Sequence, residues 1–150
     1  MECPPIGLGT YEMTDPETCV DAVSTEVDSG YDHVDTAQSY GNEAFVADGL
    51  AAADRDNDEV FVATKLDTGN LGYDDVLETA RESADRLGVD SLDLLYVHWP
   101  LDTYDHESTL PALDAAVEEG TVDRIGLSNF RPDQLRAAMY DAEPTRLRRI

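Results

Sequence analysis

The stretch DTAQSYGNE at residues 35–43 determines the fold and the site that this sequence predicts. Residues 31–34 before it alternate in polarity as a strand does, and Asp35 stands where that strand should end. Gly41 permits a turn, and Asn42 is placed to cap the helix that follows. A carboxylate at the carboxyl end of a strand, followed five residues later by an exposed Tyr40, is where parallel α/β folds hold catalytic residues.

The rest of the chain repeats this strand–helix unit. Strands are predicted at residues 6–11, 31–35, 60–65, 92–98 and 124–128, and helices at 16–29, 42–53, 76–87, 108–119 and from 132. The strand at 60–65 is almost continuously apolar, as expected for a parallel sheet covered on both faces. The sequence therefore predicts an α/β fold of five βα units, in a barrel or a wound sheet.

Four polar side chains end four of these strands: Asp35, Lys65, His98 and Ser128, separated by 30, 33 and 30 residues. That separation is about one βα unit. Because the carboxyl ends of parallel strands open on one face, the four side chains should converge on one pocket. Lys65 is the only lysine among ten basic residues and ends an apolar run, which indicates a function for its ammonium.

The composition limits the partners and the location of the protein. Its 33 acidic residues outnumber 10 basic ones, for a net charge of −23 spread along the chain. Such a surface repels phosphates, which argues against nucleic acid or an anionic membrane as partner, and is typical of proteins adapted to high salt. No run approaches the ~18 apolar residues of a membrane span. Cys3 and Cys19 lack metal or redox spacing, which indicates free thiols in a cytoplasmic protein.

Six short motifs occur in an order and spacing that identify a family. They are GTY at 9–11, DTA at 35–37, YGNE at 40–43, TK at 64–65, HWP at 98–100 and GLSNF at 126–130. Over about residues 6–140 the chain resembles the aldo-keto reductases, in the diketogluconate and small-aldehyde reductase branch. The resemblance implies a partial (β/α)₈ TIM barrel with five βα units present. It also implies reduction of aldehydes and ketones to alcohols, with NADPH or NADH as the cofactor.

The resemblance also assigns roles to individual residues. It implies the catalytic residues Asp35, Tyr40, Lys65 and His98, in which Tyr40 is the general acid, Lys65 and Asp35 assist it, and His98 orients the carbonyl. The cofactor-binding residues that it implies are Gly9, Thr10, Asp35, Ser128 and Asn129. The substrate-binding residues that it implies are Tyr11, where the family often has tryptophan, and Trp99.

The proposed acid needs help from its surroundings. A free tyrosine titrates near ~10 and is a weak acid at neutral pH. An ammonium ~4 Å away, at an effective dielectric constant of ~20, contributes about 4 kcal/mol, or up to ~3 pKa units. We therefore expect Lys65 to lower the pKa of Tyr40. Asp35 should hold Lys65 charged and oriented, which gives back part of the shift.

The end of the chain departs from the family pattern. A closed barrel needs eight units and ~250 residues. Residues 146–150 contain three arginines in an otherwise acidic chain. We expect residues 1–150 to be a single truncated barrel domain with a divergent tail at 141–150, the product of a truncated or frameshifted gene. Weak or no reductase activity should follow, and the open sheet edges should permit self-association.

Two other functions are compatible with the same residues. The chain is alternatively a non-catalytic remnant that acts as a binding or interaction module through its open edges. A metal-dependent barrel hydrolase would use His33, Asp35 and His98, because a His-x-Asp strand can bind metal. A metal site would leave the tyrosine–lysine pair unexplained, so the sequence favours a reductase without a metal ion.

Overall fold

Five parallel strands alternate with five α-helices in residues 2–56 and 59–141, the part of the chain that the computed structural model describes. The strands are β1 (Leu8–Gly9), β2 (His33–Asp35), β3 (Phe61–Leu66), β4 (Leu94–Val97) and β5 (Ile125–Leu127). The helices are α1 (Pro16–Asp28), α2 (Glu43–Ala52), α3 (Tyr73–Leu87), α4 (His106–Glu118) and α5 (Pro132–Asp141). The predicted α/β fold with five βα units is confirmed. None of the helices in the described ranges is long and apolar enough to cross a membrane.

Each strand pairs with the next one along the chain. The order in the sheet is β1-β2-β3-β4-β5, with every pair parallel. A wound sheet reverses its strand order at a switch point, whereas a barrel adds its strands in sequence. The observed order is therefore that of a barrel, with β1 and β5 at the edges of the described sheet. The tail predicted at residues 141–150 lies, apart from Asp141, outside the described residues.

The helix boundaries follow local sequence signals in most places. Asp15 caps α1 by accepting a hydrogen bond from the Thr18 N–H at 2.9 Å, and Pro16 is the first helical residue. Gly88 ends α3 with φ of 69°, a conformation that glycine adopts without steric cost. The start predicted for α4 at Ser108 is wrong. That helix begins at His106 because Asp105, earlier in the chain, is its cap.

Side chains that alternate along the strands form two apolar layers, one on each face of the sheet. One face of the sheet packs against the helices, in a core that includes Val34, Val62 and Leu95. The other face carries Phe61, Ala63 and Leu94, which form a second buried cluster. Because side chains alternate with a period of two, the second face continues to Asp35 on β2, to Lys65 on β3 and to His98 just beyond β4. The inner face of the sheet thereby carries these three polar side chains to one end.

Candidate active site

The Lys65 ammonium is held at the end of the neighbouring strand β2. Its Nζ forms an ion pair with the Asp35 carboxylate and donates a hydrogen bond to the Thr36 carbonyl oxygen at 2.7 Å. The lysine side chain is only 12% exposed, and that of Asp35 is 28% exposed. An ion pair shielded in this way resists screening by salt and holds the ammonium in one position.

Tyr40 lies beside this ion pair on a 3₁₀ turn (Gln38–Tyr40) that precedes α2. The centroid of its ring is 5.3 Å from Lys65 Nζ and 5.9 Å from the centroid of the His98 ring, which it meets edge to face. The structure therefore brings Asp35, Tyr40, Lys65 and His98 together at the carboxyl ends of the strands. Tyr40 is half-buried, so the expectation of an exposed tyrosine is wrong.

The pKa of Tyr40 does not fall as the sequence analysis expected. Burial raises the pKa of the Tyr40 phenol above its usual 10, and the negative charge of Asp35 and the Tyr11 phenol raise it further. The Asp35 carboxylate is paired with Lys65, so its negative charge offsets the field that the ammonium exerts on the phenol. Tyr40 consequently keeps its proton throughout the neutral range.

His98 is neutral at physiological pH. Burial, followed by the nearby positive charge of Lys65, lowers the pKa of its imidazole below 6.5, and the carboxylates of Asp35 and Asp67 only partly oppose this. A neutral imidazole has one N–H donor and one acceptor nitrogen. Beside the Tyr40 ring, it can donate a hydrogen bond to an uncharged carbonyl oxygen.

The stability of the fold should fall as the pH is lowered through the histidine range. The pKa of His98 in the folded protein lies below its unfolded value of about 6.5, so the unfolded chain binds the proton more readily. Burial likewise lowers the pKa of His33. Urea titrations between about pH 7.5 and about pH 5.5 should give a decreasing free energy of unfolding, with a shallower slope for His98→Gln. Equal slopes for the two proteins would contradict the lowered pKa of His98.

Tyr96 is a neighbour of the site that the sequence analysis did not identify. Its ring centroid lies 6.0 Å from Lys65 Nζ, on the inner face of β4. Burial raises the pKa of Tyr96 to about 12, with smaller contributions from the charges of Asp35 and Cys3. The Tyr96 phenol is therefore uncharged at neutral pH. Its spacing of two residues from His98 on one strand is the signal that would have placed it on this face.

Gly9 and Thr10 line the β1 side of the site. A Cβ added to Gly9 would meet no atom within 4 Å, so open space lies above the end of β1. The Thr10 N–H donates to the Asp35 carbonyl oxygen at 3.0 Å, and its hydroxyl donates to the same oxygen at 3.3 Å. Thr10 therefore holds β1 against β2, while Gly9 leaves room for a ligand beside Asp35.

Ser128 and Asn129 follow β5 on the opposite side. Asn129 has φ of 62°, a left-handed conformation that asparagine tolerates, and its Nδ2 donates to the His98 carbonyl oxygen at 2.8 Å and to Ser128 Oγ at 3.0 Å. With both amide hydrogens engaged, the Asn129 Oδ1 and the Ser128 hydroxyl can still accept hydrogen bonds from a ligand. This set suits an amide such as the carboxamide of nicotinamide, which needs an acceptor for its NH₂ group.

Two exposed aromatic rings lie beside the four central residues. Tyr11 is 67% exposed, and its ring centroid is 5.2 Å from that of Tyr40. Trp99 is 45% exposed, 6.5 Å from the His98 ring. Both rings are therefore exposed to solvent beside the central residues.

Within residues 2–56 and 59–141, no group of three or more His, Cys, Asp or Glu side chains is arranged to hold a metal ion. His33 and Asp35 share one face of β2, but Asp35 is paired with Lys65 and His33 packs edge to face on Phe61 at 5.1 Å. The three ligands considered for a metal-dependent hydrolase thus each contact another side chain, since the His98 ring meets that of Tyr40.

Asn42 has a different role from the one predicted for it. It occupies the N-cap position of α2, but its side chain makes no capping hydrogen bond. Instead its Nδ2 donates to the carbonyl oxygens of Thr10 at 2.9 Å and Met13 at 3.2 Å, and its Oδ1 accepts from the Thr36 hydroxyl at 2.7 Å. The predicted capping hydrogen bond is not made, because the Asn42 amide instead joins the carbonyl oxygens of Thr10 and Met13 to the Thr36 hydroxyl.

Comparisons with known proteins agree on one family. The model of the family described as "Aldo/keto reductase family" matches residues 5–146. An aldo-keto reductase of Mycobacterium sp. (strain KMS) is 41% identical over 134 residues, which are 89% of this chain and 48% of the relative. The solved structure of an aldo-keto reductase from a Medee basin deep-sea metagenome library has a TM-score of 0.88 at 37% identity, over 95% of this chain and 52% of that chain. Bombyx mori aldo-keto reductase, solved in complex with NADP, has a TM-score of 0.86 at 30% identity, over 93% of this chain and 51% of that chain.

The similarity to these structures confirms the predicted partial (β/α)₈ TIM barrel, of which the described residues supply five βα units. The chain spans about half the length of the curated relatives it matches. Sequence, fold and the arrangement of the strand ends lead to one conclusion, which is that the chain belongs to the aldo/keto reductase family.

Proposed function

We propose that this chain carries the catalytic site of an NADPH-dependent reductase that converts aldehydes and ketones to alcohols, with NADH as the alternative cofactor. The observation that supports this most directly is the cluster of the Tyr40 phenol, the Lys65–Asp35 ion pair and the His98 imidazole around one point. Membership of the family supports an oxidoreductase that acts on carbonyl groups. The particular carbonyl compound is set by residues such as Tyr11 and Trp99.

In this proposal Tyr40 is the general acid. A bound nicotinamide cofactor supplies the hydride that adds to the carbonyl carbon. Tyr40 gives its phenolic proton to the carbonyl oxygen as negative charge develops there. An alkoxide is a stronger base than a phenolate, so the transfer remains favourable even though burial raises the pKa of Tyr40. Lys65 stabilises the phenolate that remains, and Asp35 keeps the ammonium in place.

His98 orients the substrate. Its neutral ring lies edge to face against Tyr40, so a carbonyl oxygen placed between the two accepts a hydrogen bond from each. A charged imidazolium would compete with Tyr40 as the proton donor. The lowered pKa of His98 therefore favours a positioning role for the histidine and leaves proton transfer to the phenol.

The residues around this cluster fit a nicotinamide cofactor. Gly9 leaves open space beside Asp35 for a ribose, and Ser128 and Asn129 present a hydroxyl and an amide oxygen for the carboxamide. The Bombyx mori relative was solved with NADP, which supports the phosphorylated cofactor here. The function of Thr10 is to fix the spacing between β1 and β2, on which this pocket depends.

Trp99 is the single tryptophan and lies at the site, so its fluorescence should report cofactor binding directly. We expect NADPH to quench it with saturation. Asn129→Ala should raise the dissociation constant of NADPH about tenfold, because it removes the oxygen that accepts a hydrogen bond from the carboxamide NH₂ group. Thr25→Ala, exposed on α1, is the matched control and should bind like the parent chain. Linear quenching without saturation, equal in both variants, would contradict the assignment of Asn129.

The reaction itself is tested under single-turnover conditions, with the 150-residue chain in excess over NADPH and a simple aldehyde present in excess over both. We expect slow loss of the absorbance of reduced nicotinamide together with formation of the alcohol, because the chain spans about half the length of its relatives and truncation should weaken the activity. Saturable binding of NADPH without any alcohol would overturn the reductase proposal. That outcome would favour the alternative, a binding module that has kept its ligand but not its chemistry.

A further inference from the structure

The 3₁₀ turn that carries Tyr40 is too short to hold its own conformation. Within it, the Tyr40 N–H donates to the Ala37 carbonyl oxygen at 3.0 Å and the Gly41 N–H donates to that of Gln38 at 3.2 Å. Isolated 3₁₀ turns have poor hydrogen-bond geometry and persist only when other parts of the protein support them. The direction of the Tyr40 ring therefore depends on what anchors this turn.

Gln38, the first residue of the turn, is anchored on both sides of its amide. Its Nε2 donates to the Thr79 carbonyl oxygen at 3.2 Å and to Ser83 Oγ at 3.1 Å, both on α3. Its Oε1 accepts from the Asp67 N–H at 2.9 Å and from Asn70 Nδ2 at 3.1 Å, both in the loop after β3. All four hydrogen-bonding positions of the amide are thus filled by partners at least 29 residues away.

The same anchor extends to the strand that carries Lys65. Ser83 is fully buried and donates to Glu43 Oε2 at 3.3 Å. The other carboxylate oxygen of Glu43 accepts from the Thr64 hydroxyl at 2.7 Å, and Thr64 directly precedes Lys65 on β3. A continuous path of hydrogen bonds therefore joins the turn of Tyr40, through α3, to the strand of Lys65.

We propose that Gln38 is a positioning residue for Tyr40, which acts by clamping the 3₁₀ turn against α3 and the loop after β3 so that the phenol stays beside Lys65 and His98. Its amide bonds to α3 and to the loop after β3, so it works through the backbone of the turn. An effect of Gln38 on catalysis rests on the proposed function. The clamp itself can be measured without turnover.

Gln38→Met, which keeps the length of the side chain but removes its hydrogen bonds, tests the clamp. Hydrogen exchange should show roughly a tenfold loss of protection at the Tyr40 and Gly41 amides, because anchoring bonds of the turn are lost. The Phe61 amide, which donates to the Asp32 carbonyl oxygen in the sheet, should keep its protection. Asp15→Ala is the matched control, since it removes the cap of α1 and should leave the Tyr40 amide unchanged.

A second readout follows the ring itself. In protein with isotope-labelled tyrosine, assigned through Tyr40→Phe, the contact between the Tyr40 and His98 rings should give a nuclear Overhauser effect in the parent chain and in Asp15→Ala. It should weaken in Gln38→Met, and the Tyr40 signal should shift toward that of an exposed tyrosine. A variant that is merely destabilised would leave this contact intact in its folded population.

The outcomes separate the clamp from the proposed function. Loosening of the turn in Gln38→Met, with kcat lowered and KM for the aldehyde little changed, supports both. Loosening in a chain that shows no turnover supports the clamp and overturns the reductase proposal. Unchanged exchange at Tyr40 and an unchanged ring contact in Gln38→Met overturn the clamp, whether or not the parent chain reduces carbonyls.

Discussion

Tyr40→Phe is expected to lower the rate of carbonyl reduction by about 10²- to 10⁴-fold, the usual contribution of a general acid. The substitution removes only the hydroxyl group and keeps the ring, which contacts Tyr11 and His98 and lies over the Lys65 ammonium. Cofactor binding and the fold should therefore change little. Single-turnover reduction of an aldehyde, combined with quenching of Trp99 by NADPH, measures the two effects separately.

Tyr73→Phe provides the control for loss of a tyrosine hydroxyl. Tyr73 is exposed at the start of α3, and its phenol has no place in the proposed mechanism. We expect this variant to reduce the aldehyde at the parental rate. A parental rate in Tyr40→Phe as well would show that the proton comes from elsewhere, and the assignment of Tyr40 as the acid would be wrong.

Arg86→Met is expected to lower the free energy of unfolding by about 2 to 3 kcal/mol. Arg86 Nε donates to Glu43 Oε2 at 2.7 Å, and the Glu43 carboxylate is only 3% exposed. Without the guanidinium, the buried Glu43 carboxylate keeps two hydroxyl partners among the described residues, those of Thr64 and Ser83. The loss should be smaller than for a fully buried pair because the Arg86 side chain is 41% exposed.

Arg81→Met on the same helix is the matched control. Its ion-pair partner, Glu119, is exposed, as is Arg81 itself, so solvent already screens the interaction. The expected loss is under about 1 kcal/mol, and added salt should reduce it further. Urea unfolding of the two variants makes the comparison. Equal losses would mean that the buried carboxylate of Glu43 does not depend on Arg86.

The ion pair of Glu43 also bears on the site. Glu43 is the last residue of the stretch DTAQSYGNE at 35–43. Its carboxylate accepts a hydrogen bond from Thr64, the neighbour of Lys65. An acidic residue in the first turn of a helix is ordinarily explained by the helix dipole. Nothing local in the sequence indicates that this one is buried, because its partner Arg86 lies 43 residues away on α3.

Local patterns explain how much of the fold could be read from the chain. The apolar pattern of the strands placed Asp35 and Lys65 at two strand ends, and turn and cap residues such as Asp15 and Gly88 marked helix ends. Those signals act within a few residues, so they are visible without a structure. The start of α4 was placed too late because the predicted helix began at Ser108, whereas Asp105 is the residue that caps it.

The sequence by itself determined the order of the βα units and the polar residues at the ends of four of the five strands, because both depend on short-range periodicity and on the common direction of parallel strands. Only the tertiary structure decided the electrostatics of the site and the support of its tyrosine. The pKa of Tyr40 rises because the phenol is buried and because the negative charge of Asp35, which is paired with Lys65, lies nearby. Hydrogen bonds from Gln38 to α3 hold the turn of Tyr40, and bonds to the Thr10 and Met13 carbonyl oxygens draw the Asn42 side chain away from α2. These partners lie in distant parts of the chain.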